Sequence, residues 1–124
     1  ADVTVMPDPA CDLQKQACAV TLPAGGKVEL SMGDKAIPLV KPFGVRVTTS
    51  GFSPSRVELD FAGVDMNMGY NRPELAFQGE GRYVGEATLP VCITGHMDWQ
   101  ATLLIEAGSE RIAIPYRFAT GGQE

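Results

Sequence analysis

The sequence predicts an all-β fold, an antiparallel β-sandwich of immunoglobulin-like or cupredoxin-like type with seven to eight strands. Three observations lead there. Apolar and polar residues alternate with period two along most of the 124 residues, the period at which side chains reach opposite faces of a strand. The 14 glycines and nine prolines fall mostly between the alternating runs, where turns belong. No window of helical length shows a 3.6-residue period free of glycine or proline.

Taken in order, a weak strand fits residues 17–22. Pro23-Ala24-Gly25-Gly26 then closes a hairpin onto Val28, Leu30 and Met32, which alternate with Lys27, Glu29 and Ser31. Phe43, Val45 and Val47 alternate with Gly44, Arg46 and Thr48. Val57, Leu59 and Phe61 alternate with Arg56, Glu58 and Asp60. Each reads as a strand with one buried and one wet face. Weaker strands fit 74–78, 82–89 and 100–107, with Gly79-Glu80-Gly81 and Gly108-Ser109 as hairpin turns. Ile112, Ile114, Tyr116 and Phe118 form the last strand, in which Pro115 predicts a sheet edge or a bulge. The length, the absence of repeats and the lack of a linker fit one domain over 1–124. It carries an N-terminal segment over 1–16 and a loose tail over 119–124.

Composition narrows the function. A chain 44% hydrophobic and 20% charged is ordinary for a globular protein. The net charge of −5 argues against nucleic acid and anionic lipid as partners. No apolar run approaches the roughly 18 residues of a membrane span. The start at Ala1-Asp2 reads as a secreted chain after removal of its signal, although a boundary chosen elsewhere would look the same. Three cysteines allow one disulfide in three pairings. A Cys11–Cys18 bond would fix the N-terminal segment and would fit an oxidising compartment. Three buried free thiols are the other reading.

Two stretches break the alternation, and both are expected as loops at strand ends. Residues 64–71 read Val-Asp-Met-Asn-Met-Gly-Tyr-Asn, and residues 90–99 read Pro-Val-Cys-Ile-Thr-Gly-His-Met-Asp-Trp. Together they hold three of the five methionines, the only histidine, the only tryptophan and one of three cysteines. Thioether, imidazole and thiolate suit Cu(I) better than other common metals. Met66 and Met68 point the same way if the segment is extended. Methionine also fills core gaps, but the polar, turn-prone flanks Asp65, Asn67, Gly69 and Asn71 are an odd setting for that. With His96 the pair would complete a three-coordinate site, with Met97 and Cys92 as alternate ligands. Cys92 also reads as a buried hydrophobe between Val91 and Ile93, and Trp99 as a core anchor.

Other chemistries fare worse. A blue-copper centre needs two histidines and a cysteine, and the chain has one histidine. Zinc is poorly served for the same reason. Asp65-x-Asn67-x-Gly69 suggests a calcium loop, but Tyr70 and Ala76 occupy the positions where glycine and glutamate are required. There is no phosphate-binding glycine loop, no nucleophile elbow and no acid–base pair, so no enzyme activity is expected. Arg72 and Arg82 read as solvated strand-end residues rather than an anion site.

The segments Asp65-Met66-Asn67-Met68-Gly69-Tyr70-Asn71-Arg72-Pro73, Gly81-x-Tyr83-x-Gly85 and Leu89-Pro90-Val91-Cys92-x-x-Gly95-x-Met97-x-Trp99 resemble the YtkA-like and FixH-like group of small periplasmic β-sandwich proteins. The resemblance covers roughly residues 43–118. It implies an extracytoplasmic immunoglobulin-like sandwich, often membrane-anchored in a precursor. It also implies a role in copper handling or in assembly of a copper-containing respiratory oxidase, with Met66, Met68 and Met97 as ligands. The combined expectation is a periplasmic or secreted protein that holds Cu(I) for sequestration or for delivery to an oxidase assembly factor. One alternative is a non-metal interaction module that uses the methionines as an adaptable contact surface. A second is a thiol redox partner using Cys11 and Cys18, whose spacing is unlike Cys-x-x-Cys.

Overall fold

Nine strands form two facing sheets in a computed structural model that describes residues 2–13, 16–23, 25–32, 43–64, 72–88 and 96–121, with the backbone alone at 96, 97 and 119–121. The strands are β1 (Asp2–Thr4), β2 (Cys18–Thr21), β3 (Lys27–Met32), β4 (Phe43–Ser50), β5 (Arg56–Gly63), β6 (Ala76–Gly79), β7 (Arg82–Ala87), β8 (His96–Ala107) and β9 (Glu110–Gly121). The first sheet has the order β1-β9-β8-β5, and the second β2-β3-β4-β7-β6. All neighbours are antiparallel except β1 and β9. The expected all-β sandwich is therefore present, with all eight expected strands and one more. No helix among the described residues is long and apolar enough to cross a membrane.

Alternation becomes burial. In β4 every second residue, Phe43, Val45, Val47 and Thr49, is buried, and β5 inserts Val57, Leu59 and Phe61 from the other sheet. Trp99, Ala101, Leu103 and Ile105 of β8 lie beside Ile112, Ile114, Tyr116 and Phe118 of β9. Each fully buried large apolar side chain of this kind stabilises the fold by about 1.5–3 kcal/mol. Buried Trp99 is the core anchor the sequence suggests.

Pro115 lies on the edge of β9 turned away from β8, beyond the residues that pair with β1, as the edge reading of the sequence implies. The Val5 amide donates to the Ala113 carbonyl at 2.9 Å, so odd-numbered residues of β9 turn their backbone groups away from β8. The missing N–H of Pro115 thus costs the β8–β9 ladder nothing.

Three differences from expectation stand out. β1 was not expected, because three residues in parallel with a strand over a hundred residues away leave no local turn signal. β8 begins at His96 rather than near Gln100, so His96, Met97 and Asp98 lie in a strand and not in the expected loop. β9 correspondingly runs on through Ala119–Gly121, residues expected in the loose tail. The two extensions support each other: His96 pairs with Gly121, Met97 with Thr120 and Asp98 with Ala119.

Strand directions give the sandwich two unlike ends. At one end lie the short turns. There Leu22 N–H donates to Gly26 O at 3.0 Å, and Gly108 turns with φ +62°. At the other end lie the finish of β3, the start of β4, the finishes of β5 and β7, and the start of β8. Edge-to-face ring contacts tie this end across both sheets, Phe43 to Phe61 at 6.1 Å and Phe61 to Phe118 at 6.4 Å.

Candidate metal-binding end of the sandwich

The two methionine- and histidine-bearing stretches are rooted on neighbouring strands. β5 pairs with β8 from Arg56–Glu106 to Gly63–Trp99. One residue further, the Val64 amide donates to the Asp98 carbonyl at 2.9 Å. Met66 stands two residues beyond Val64, and His96 stands two residues before Asp98. Two residues of chain span at most about 7 Å, so both ligand candidates are tethered close to one backbone hydrogen bond.

The far side of the 64–71 stretch is anchored to the same strand. Arg72 Nε lies 3.6 Å from Asp60 Oδ1. The Leu59 amide donates to the Pro73 carbonyl at 3.1 Å, and the Leu75 amide donates to the Val57 carbonyl at 2.9 Å. The stretch therefore leaves β5 at Val64 and comes back along the outer edge of β5. This return covers an edge that would otherwise offer unpaired backbone groups. Arg72 and Arg82 are solvent-accessible, as the sequence implies. Both also pair with carboxylates at the surface, Arg72 with Asp60 and Arg82 with Glu80 at 3.5 Å. The signal for the first pair was available: Asp60 is the last polar residue of the β5 alternation, and Arg72-Pro73 ends the methionine stretch.

Close by, Arg56 forms a surface ion pair with Glu58 at 2.8 Å and a looser one with Glu74 at 3.7 Å. The hydrogen bond Arg56 donates to Glu58, and then the charge of Glu58, raise the Arg56 pKa above its ordinary value. Exposed pairs of this kind contribute little stability. Of the two, only the Arg56–Glu74 pair reaches the returning segment.

Of the expected ligands, Met66, Met68 and Cys92 lie outside the described residues. His96 and Met97 are adjacent positions at the start of β8. Among the described residues no group of three His, Cys, Asp or Glu side chains forms a metal site.

The expected Cys11–Cys18 disulfide is present, with Cα atoms 5.9 Å apart. Cys18 is buried and heads β2, and Leu13, inside the closed loop, is buried with it. The bond thereby stitches the N-terminal segment to the core.

No family model matches the sequence, and no curated protein or solved structure matches it either.

Proposed function

We propose that the protein binds Cu(I) at this end of the sandwich through Met66, Met68 and His96, with Met97 and Cys92 as alternates. It would hold the ion for sequestration or for delivery to a partner. The single observation that carries the reading is the Val64–Asp98 hydrogen bond, which roots two stretches that are separate in sequence on adjacent strands. Two thioethers and one imidazole form a soft donor set suited to Cu(I). Thioethers also bind without the proton competition that thiolates meet. An exposed site on a strand-end loop would pass its ion to an acceptor by ligand exchange, and the resemblance to the YtkA-like and FixH-like group suggests an oxidase assembly factor as that acceptor. The disulfide favours an oxidising compartment such as the periplasm.

The test is an anaerobic Cu(I) competition titration against a chromophoric chelator. The expected result is one tight equivalent for the natural chain. The Met66→Ala/Met68→Ala pair and His96→Ala should each weaken it about tenfold or more, a loss of about 1.4 kcal/mol. A natural chain that fails to compete would remove the copper reading. The methionine stretch would then be an adaptable contact surface for a partner protein.

A further inference from the structure

At the opposite end of the sandwich is a cleft of about 450 Å³ lined by residues 49–55, Phe77, Gly81 and Tyr83. None of its ten lining residues is charged, in a chain that is 20% charged. Phe77 is the largest exposed apolar side chain among the described residues, at 63% exposure. Its ring lies 5.2 Å from that of Tyr83 with the planes tilted by 45°. The exposure follows from topology. Phe77 pairs with Tyr83 and so shares its face, but β6 is the outermost strand of the five-stranded sheet and the facing sheet has four.

The opposite wall is the crossing segment from β4 to β5, and it is fixed at both margins. The Tyr83 hydroxyl donates to the Pro54 carbonyl at 3.1 Å. On the other side, the Ser55 amide and hydroxyl both donate to the Glu106 carbonyl, at 2.7 and 3.1 Å. The floor is equally constrained: the Thr49 amide and hydroxyl both donate to the Gly81 carbonyl, at 2.7 and 3.1 Å. A side chain at Gly81 would run into Thr49. The cleft is therefore preformed, as small-ligand sites usually are.

We propose that this cleft is a binding site for a neutral sugar, one or two rings of an oligosaccharide. The face of the Phe77 ring carries negative quadrupole charge, which attracts the weakly positive C–H face of a pyranose. Ser50 and Ser53 are among the lining residues and carry hydroxyl groups. A hydroxyl both donates and accepts, the requirement for meeting a polyol. The uncharged lining disfavours phosphorylated or acidic ligands, whose charge would find no counter-ion. A proline-rich peptide fits less well, because such peptides dock in grooves lined by several aromatic ridges and only one ring is well exposed here. This inference is independent of the copper reading, which concerns the other end.

The experiment is a ¹H–¹⁵N correlation titration of the full chain with cellohexaose, maltohexaose and N-acetylchitohexaose at millimolar concentration, with deca-proline in a parallel arm. At least one sugar is expected to shift amides within 49–55 and 77–83 while leaving 96–99 in place. Phe77→Ala should weaken that binding tenfold or more, and Ser53→Ala should weaken it less. Phe77 is exposed, so its removal leaves the core intact, and an unchanged spectrum elsewhere will verify this. The proposal is overturned if no sugar shifts these amides, if the shifts survive Phe77→Ala, or if deca-proline alone produces them.

Discussion

Tyr116 shows how a single atom can contradict the logic of its surroundings. It occupies a core position of β9 that any large apolar residue would fill, yet its hydroxyl is buried without a hydrogen-bond partner among the described residues. An unsatisfied buried polar group of this kind costs about 1–3 kcal/mol. Tyr116→Phe should therefore raise stability by about 1 kcal/mol, seen as a higher midpoint in urea with an unchanged slope. A lower midpoint would mean that the hydroxyl has a stabilising partner. The same burial predicts a pH response. Desolvation raises the Tyr116 phenol pKa, and that of Tyr83 in the same direction, so the folded chain keeps protons that the unfolded chain releases. Stability is then fully present below the ordinary tyrosine value of about 10 and falls as pH rises above it. Thermal midpoints measured across that range should decline less steeply in Tyr116→Phe. An identical decline would assign the effect to other groups.

Elements were legible in the sequence to the extent that their signals are local. The alternation in 43–48 and 56–61 became β4 and β5, and the glycine turns at 79–81 and 108 closed the expected hairpins. β1 was not legible, since its partner lies at the far end of the chain. The extension of β8 to His96 was hidden as well. Gly95 and the mixed run His96-Met97-Asp98 look like a loop, and only the long arm of β9 draws them into the sheet. The N-terminal segment is held by different means, a short strand and the Cys11–Cys18 bond. Closing a loop with a sequence separation of 7 is worth about 2.5 kcal/mol on the chain-entropy account. The Cys11→Ser/Cys18→Ser variant should lose about that much, a fall in Tm of about 10 °C for a chain of this length. An unchanged Tm would show that β1 and Leu13 dock without the crosslink.

At the scale of the whole molecule, the sandwich has two unlike ends. Short turns close one end around an uncharged cleft. At the other end Phe43, Phe61 and Phe118 touch edge to face across the two sheets, with Trp99 opposite Phe118 on the neighbouring strand. The candidate ligand types could be read from sequence, because soft donors concentrated in two polar stretches are unusual in composition. That the two stretches join neighbouring strands could not, because the β5–β8 pairing spans some forty residues and no local pattern encodes it. The most direct test of the central claim is X-ray absorption at the copper edge on the one-to-one Cu(I) form, prepared without oxygen. The account predicts a first shell of two sulfurs and one nitrogen, with sulfur scattering lost in Met66→Ala/Met68→Ala and nitrogen lost in His96→Ala. A shell that is unchanged in both variants, or one made of oxygen and nitrogen without sulfur, would contradict it.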